Sequence, residues 1–297
     1  MNNTIKTITV YLGSSGHCRD VFKDSTIKLG ELIANAGKNL VYGGMDTGLM
    51  GRVAKSAYKN GADVIGIIPM KLKDSERILK GITETILVEE LCDRKKKMFL
   101  KADAIVTMPG GFGTVDEALE ILYWGSLKLH QKPIVIVNID GYWDNLISYI
   151  RTLPDFNPAY LIIVDTIDEI FPSLSEWQAP EIIGLKHEHY PHFEDEICRN
   201  TQEPIIIDEA TVENTYYAIC ALGLKQLGKH NRAIGFLNTD GQFNKLEAWI
   251  EDAARERFIT QKCTTLFAIE KDEFKLRQIL KNMDDVEIDL HNDKWGQ

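Results

Sequence analysis

Residues 104–117 read Ala-Ile-Val-Thr-Met-Pro-Gly-Gly-Phe-Gly-Thr-Val-Asp-Glu, a short apolar run, a glycine turn and the start of the helical-looking Ala118-Leu119-Glu120-Ile121-Leu122. That order is strand, turn, helix. Glycines let the backbone fold tightly and bring successive N–H groups to face an anion, and the helix start adds its positive dipole end. Gly110, Gly111, Gly113 and Thr114 are therefore expected to cradle a phosphate. Glu117 does not fit a pure anion site, because it places a carboxylate one helical turn inside it. Binding alone does not call for that group, so the stretch predicts chemistry beside the phosphate.

The same unit recurs outward from this point. Thr7–Leu12 is apolar and runs into Gly13-Ser14-Ser15-Gly16; Phe22–Asn35 has helical periodicity; Lys38–Tyr42 leads into Gly43-Gly44. Leu49–Asn60 reads as helix, Val64–Ile68 and Ile86–Val88 as strands, Thr114–Leu129 as helix and Ile134–Asn138 as strand. Alternation of this kind predicts an α/β fold, a Rossmann-like, mostly parallel sheet with helices on both faces. Ligands in such sheets bind at the carboxyl ends of the strands. The turns at 13–16, 43–51 and 110–113 each follow a strand, so Gly13, Ser14, Gly43 and Gly44 are expected to join the phosphate turn on one edge.

Composition bounds the class. The chain has 297 residues, 44% hydrophobic and 26% charged, ordinary for a globular protein with one large domain or two modest ones. No apolar run reaches the ~20 residues that cross a membrane, and no basic-then-apolar leader precedes the first strand. The five cysteines lack metal-type or disulfide-type spacing, which reads as reduced and cytoplasmic. Of the net charge of −10, most sits late: residues 181–297 hold 14 Lys and Arg against 22 Asp and Glu, which argues against a nucleic-acid surface there.

Residues 172–204 break the alternation. Pro172, Pro180, Pro191 and Pro204 punctuate a polar, acidic stretch that reads as a linker or surface excursion. Its His187, His189 and His192 have no partnering carboxylate pattern and read as exposed, so no metal and no cofactor is expected. The boundary divides a catalytic domain at 1–180 from an acidic α/β domain at 181–297. After it the chain repeats: residues 205–250 align without a gap on 105–150, matching Ala118 with Ala218, Leu122 with Leu222, His130 with His230, and Asn138-Ile139-Asp140-Gly141 with Asn238-Thr239-Asp240-Gly241. At the decisive place the copy is blank, since Pro109–Glu117 falls on Glu209–Tyr217. Self-similarity of this kind marks a repeated unit, here a degenerate one.

Asp93-Arg94-Lys95-Lys96-Lys97-Met98 lies upstream of the glycine turn. A helix from Arg94 to Lys101 feeding the Ala104 strand holds its first residues near the sheet edge. Arg94 offers a planar fork matched to phosphate oxygens and Lys95 a point charge, whereas Lys96 and Lys97 read as a solvated face.

Arg94-Lys95-x-x-Met98 followed by Pro109-Gly-Gly-Phe-Gly-Thr-Val-Asp-Glu117 resembles the signature pair of the Lonely Guy (LOG) family, many of whose members are labelled lysine decarboxylases. The likeness extends through Tyr42-Gly43-Gly44…Gly48-Leu49-Met50-Gly51, Gly66-Ile67-Ile68-Pro69 and Lys132-Pro133…Asn138…Asp140-Gly141-Tyr142, about residues 5–175. The resemblance implies a Rossmann-like, usually dimeric protein with phosphoribohydrolase activity. Such an enzyme cleaves the N-glycosidic bond of a nucleoside 5′-monophosphate, AMP or a cytokinin riboside monophosphate, to free base and ribose 5-phosphate. It assigns substrate contacts to Arg94, Lys95, Gly111, Gly113 and Thr114, a further one to Glu76, and catalysis to Glu117 with Arg94. Two departures stand out: Met45 replaces a usual glycine, and Tyr123 a threonine that touches substrate, which affects base preference.

Pyridoxal-dependent decarboxylation has no supporting lysine context. The alternative is a carrier, since related Rossmann-like proteins bind nucleotide-like cofactors, including molybdenum cofactor, without turning them over. The retained Arg94 and Glu117 favour the enzyme. The partners expected are a nucleoside monophosphate and a second copy of the chain, or an internal pseudo-dimer in which the degenerate copy takes the partner's place; neither nucleic acid nor membrane is expected.

Overall fold

Short runs of β-branched and aliphatic residues become strands here because helices cover both faces of the sheet they build. In the computed structural model, which describes residues 5–72, 77–182 and 189–289, β1 (Thr7–Tyr11), α1 (Asp20–Asn35), β2 (Asn39–Tyr42), α2 (Gly48–Lys59), β3 (Val64–Pro69) and β4 (Glu84–Val88) alternate along the chain. They are followed by α3 (Leu91–Lys101), β5 (Ala104–Thr107), α4 (Phe112–Ser126), β6 (Ile134–Val137), α5 (Asp144–Ile150), β7 (Leu161–Val164) and α6 (Ile170–Glu176). The seven strands form one parallel sheet in the order β4-β3-β2-β1-β5-β6-β7. Chain direction across the sheet reverses between β1 and β5, which makes their carboxyl ends the switch point where ligands bind. The expected gathering of turns is present: Gly13 N–H donates to Pro109 O (3.1 Å) and Leu49 N–H to Gly13 O (3.2 Å).

The segment after α6 is more than a surface excursion. It carries α7 (Glu194–Ile197) and buries Tyr190, Glu194 and Ile197. Trp124 on α4 fixes it by donating from Nε1 to Pro191 O (2.8 Å). His187 lies outside the described residues, His189 is exposed, and His192 Nδ1 pairs with Glu194 (3.0 Å).

The chain then builds a second, three-stranded parallel sheet from β8 (Ile205–Ile207), α8 (Val212–Gln226), β9 (Ile234–Leu237), α9 (Asn244–Arg255), β10 (Phe267–Glu270) and α10 (Glu273–Lys281). It repeats β5-α4-β6-α5-β7 closely, with residue numbers raised by 100 through its first half. Ile105 pairs with Ile134, and Ile205 with Ile234. The buried His130 Nε2 bonds Ile121 O at 2.9 Å, and His230 Nε2 bonds Ala221 O at 2.9 Å. Asn138 Nδ2 donates to Asp144 and Asn238 Nδ2 to Asn244, both at 2.7 Å.

The two repeats pack reciprocally. Trp143 stacks on Trp249 with ring centroids 6.0 Å apart, and Tyr149 meets Phe243 at 6.4 Å. Asp116 lies beside Cys220, while Glu120 accepts from Tyr216 Oη (2.6 Å). Raising or lowering each number by 100 exchanges the members of a set, the signature of a two-fold contact. One apolar core runs through both sheets. No helix among the described residues is long and apolar enough to cross a membrane.

Candidate functional site

A cavity of about 690 Å³ opens at the switch point, a volume suited to a small ligand. Two helices begin on it, and neither is capped by a side chain. α2 starts after Thr47 and α4 after Gly111, and Thr47, Gly111, Gly113 and Thr114 line the cavity. Two converging positive dipole ends make this edge a site for an anion. A Cβ at Gly113 would meet nothing within 4 Å.

Arg94 and Glu117 meet at the cavity floor. α3 is started by a capping box in which the Glu90 side chain and Asp93 exchange bonds with the backbone, leaving Arg94 in the first turn to reach inward. Its Nη2 lies 3.2 Å from Glu117 Oε1, and both residues line the cavity. The guanidinium passes beneath Gly43, where a Cβ would stand 2.3 Å from Nη2, so this glycine makes room for the arginine. Arg94 Nε is buried without a hydrogen-bond partner among the described residues. Burial raises the Glu117 carboxyl to about 7; the Arg94 charge opposes the shift and the neighbouring Asp116 adds to it. A carboxyl titrating near neutrality beside a fixed cation, in a cavity built for an anion, can stabilise a developing positive charge or orient water.

Behind this pair lies a second charged layer. Lys95 is 1% exposed, and its ammonium sits 3.0 Å from Asp116, 3.2 Å from Glu120 and 2.6 Å from Glu194 of α7. Burial works against its charge, but the carboxylates outweigh it and hold the pKa above the ordinary lysine value. One cation cannot balance three buried carboxylates, and burial pushes Glu120 up to about 8. Lys95 is thus committed to α4 and α7, instead of standing free toward a phosphate as its place in the sequence predicts. Asp116, Glu194 and Cys220 bring ligand-type atoms within 4.8 Å of one another, but the Lys95 ammonium lies among them and supplies the cation.

Gly13, Ser14, Arg94, Lys95, Gly111, Gly113, Thr114 and Glu117 all line the cavity. Gly110 stands behind it, with its carbonyl accepting from Tyr142 Oη (2.6 Å), and Gly44 turns at φ 78° against Ile68. Glu76 lies outside the described residues. Tyr123 is not among the residues that line the cavity; its hydroxyl donates to Glu213 of the second repeat (3.0 Å). Met45 does line the cavity.

Several lining groups have no local signature in the sequence: Arg77, Glu194, Cys220, Gly223 and Leu224 of α8, and Leu227 just past its end. Two glycines also owe their identity to the second repeat. A Cβ on Gly13 would come within 2.7 Å of the Phe258 ring, and one on Gly111 within 2.7 Å of Ile259.

The chain is similar to several known proteins. The family described as "Possible lysine decarboxylase" matches residues 50–174. A cytokinin riboside 5′-monophosphate phosphoribohydrolase of Arabidopsis thaliana is 32% identical over 194 residues, which cover 65% of this chain and 88% of the relative. A second Arabidopsis thaliana protein of the same description is 36% identical over 155 residues, 52% of this chain and 68% of the relative. Among solved structures, the molybdenum cofactor binding protein from Rippkaea orientalis superposes with a TM-score of 0.48 at 20% identity, covering 59% of this chain and 98% of that one. On the Arabidopsis matches, the chain belongs to the Lonely Guy family.

Proposed function

We propose that the protein is a nucleoside 5′-monophosphate phosphoribohydrolase: water cleaves the N-glycosidic bond, the base leaves with a proton, and ribose 5-phosphate remains. The observation that carries this reading is the Arg94–Glu117 pair, 3.2 Å apart at the floor of the cavity onto which α2 and α4 open. Ser14, Gly111, Gly113 and Thr114 hold the phosphate, which fixes the ribose relative to Glu117. As the C–N bond breaks, positive charge grows on the sugar, and the Glu117 carboxylate stabilises it and orients the water. Arg94 neutralises the phosphate and holds the carboxylate in place. The names of the relatives put cytokinin riboside monophosphates beside AMP as substrates to try.

Incubating the full chain with AMP, an N6-alkylated adenosine monophosphate and pyrimidine monophosphates, then measuring free base, tests the reading. Glu117→Gln should keep AMP binding and lose roughly 10²–10³ in turnover, the scale of one transition-state electrostatic group. Tight AMP binding with no base release from any nucleotide would instead indicate a carrier.

A further inference from the structure

The cavity has a wall that the first repeat does not supply. Cys220, Gly223 and Leu224 of α8, with Leu227 just past its carboxyl end, line it opposite the strand ends. Reciprocal packing explains how they get there: α4 and α8 cross antiparallel, so the carboxyl end of α8 reaches the amino end of α4, and the carboxyl end of α4 reaches the amino end of α8. At the first meeting lies the glycine turn. At the second, the anion site is filled by the protein itself: the Thr211 side chain accepts from Asn214 N–H (3.1 Å), and the Asp155 carboxylate takes Val212 N–H (2.8 Å). Gly223 has no packing reason to be glycine. A helix interior disfavours it relative to alanine, and a Cβ there would make only an ordinary 3.8 Å contact with Phe112.

We propose that α8 stands where the corresponding helix of a second copy would stand, and that Gly223, Leu224 and Leu227 are substrate-facing, specificity-determining residues contributed by the otherwise blank repeat. The chain then carries one complete nucleotide site, walled by its own second half. This rests on reading the cavity as a nucleoside monophosphate site. The wall is uncharged at the mouth, where Leu227 is 44% exposed. Leu127, its counterpart just past α4, is 45% exposed and lies at the opposite end of the helix pair, away from the cavity. The two leucines are matched in helix position and exposure and differ in what they face.

That match supplies the experiment. Leu227→Asp and Leu127→Asp are compared with wild type for AMP binding by calorimetry and for base release from AMP, with circular dichroism to verify folding. Leu227→Asp should raise the KM for AMP about tenfold through like-charge juxtaposition with the phosphate, more at low salt, with little change in kcat. Leu127→Asp should leave both constants as they are. Leu227→Lys, of opposite sign at the same half-exposed position, should lower the KM for AMP, most at low salt; it decides the matter if the aspartate variant fails to fold. Equal behaviour of Leu227→Asp and Leu127→Asp in an active protein, or a KM in Leu227→Lys that is not lowered at low salt, overturns the inference alone. A wild type that neither binds nor cleaves any nucleoside monophosphate overturns the nucleotide reading, and this inference with it.

Discussion

Glu117 and Arg94 form a pair in which each sets the state of the other. Burial raises the Glu117 carboxyl to about 7, with the guanidinium pulling against it. The carboxyl is therefore protonated below about 7 and ionised above, and the proposed chemistry uses the ionised form. The rate should fall as pH drops through about 7. Arg94→Gln removes the group that lowers the pKa, so the same limb should move to higher pH; a pH–rate profile of kcat/KM on both proteins measures this. Unchanged limbs would mean that some other group titrates. These two residues were legible in the sequence because a strand, a glycine turn and a helix start fix Glu117 locally, and the helix feeding the next strand fixes Arg94. Lys95 was legible as charged but not as buried. Its carboxylate partners come from α4 and, through Glu194, from a segment a hundred residues away that looked like a linker.

At the scale of elements, Lys95 ties α3, α4 and α7 together. Lys95→Met leaves the buried Asp116, Glu120 and Glu194 carboxyl groups without their shared ammonium and should destabilise by about 3–5 kcal/mol, read from urea unfolding. The glycine turns tell a second story. Their spacing pointed to a close approach by an anion, and Gly113 fits that, whereas Gly13 and Gly111 are glycine because Phe258 and Ile259 press on them. Gly13→Ala should cost roughly 1–3 kcal/mol by overpacking. Combined with Phe258→Ala, the cost should be markedly less than additive, since the second substitution removes the ring that clashes. Additive values would show that the two positions are independent. Strands β7 and β10 were not marked by the sequence pattern, being four residues each with no glycine turn after them to flag the unit.

Across the whole molecule, the repeat was visible in the sequence as a gapless match, and β8 pairs with β9 in the register in which β5 pairs with β6. What the sequence did not disclose was how the repeats face each other, because contacts such as Trp143 on Trp249 join positions that no local pattern links. That contact makes one apolar core of two sheets. Tryptophan fluorescence and far-UV circular dichroism should therefore trace one coincident urea transition; two separated transitions would show that the halves unfold independently. What the chain does at the switch-point cavity is read by base release from AMP and other nucleoside 5′-monophosphates, measured on the purified full chain with Glu117→Gln alongside. Free base and ribose 5-phosphate should form in equal amounts from the wild type, with turnover lower by roughly 10²–10³ in the variant despite undiminished binding. Base release by Glu117→Gln at the wild-type rate, or none from any nucleotide by the wild type, would contradict the proposed chemistry.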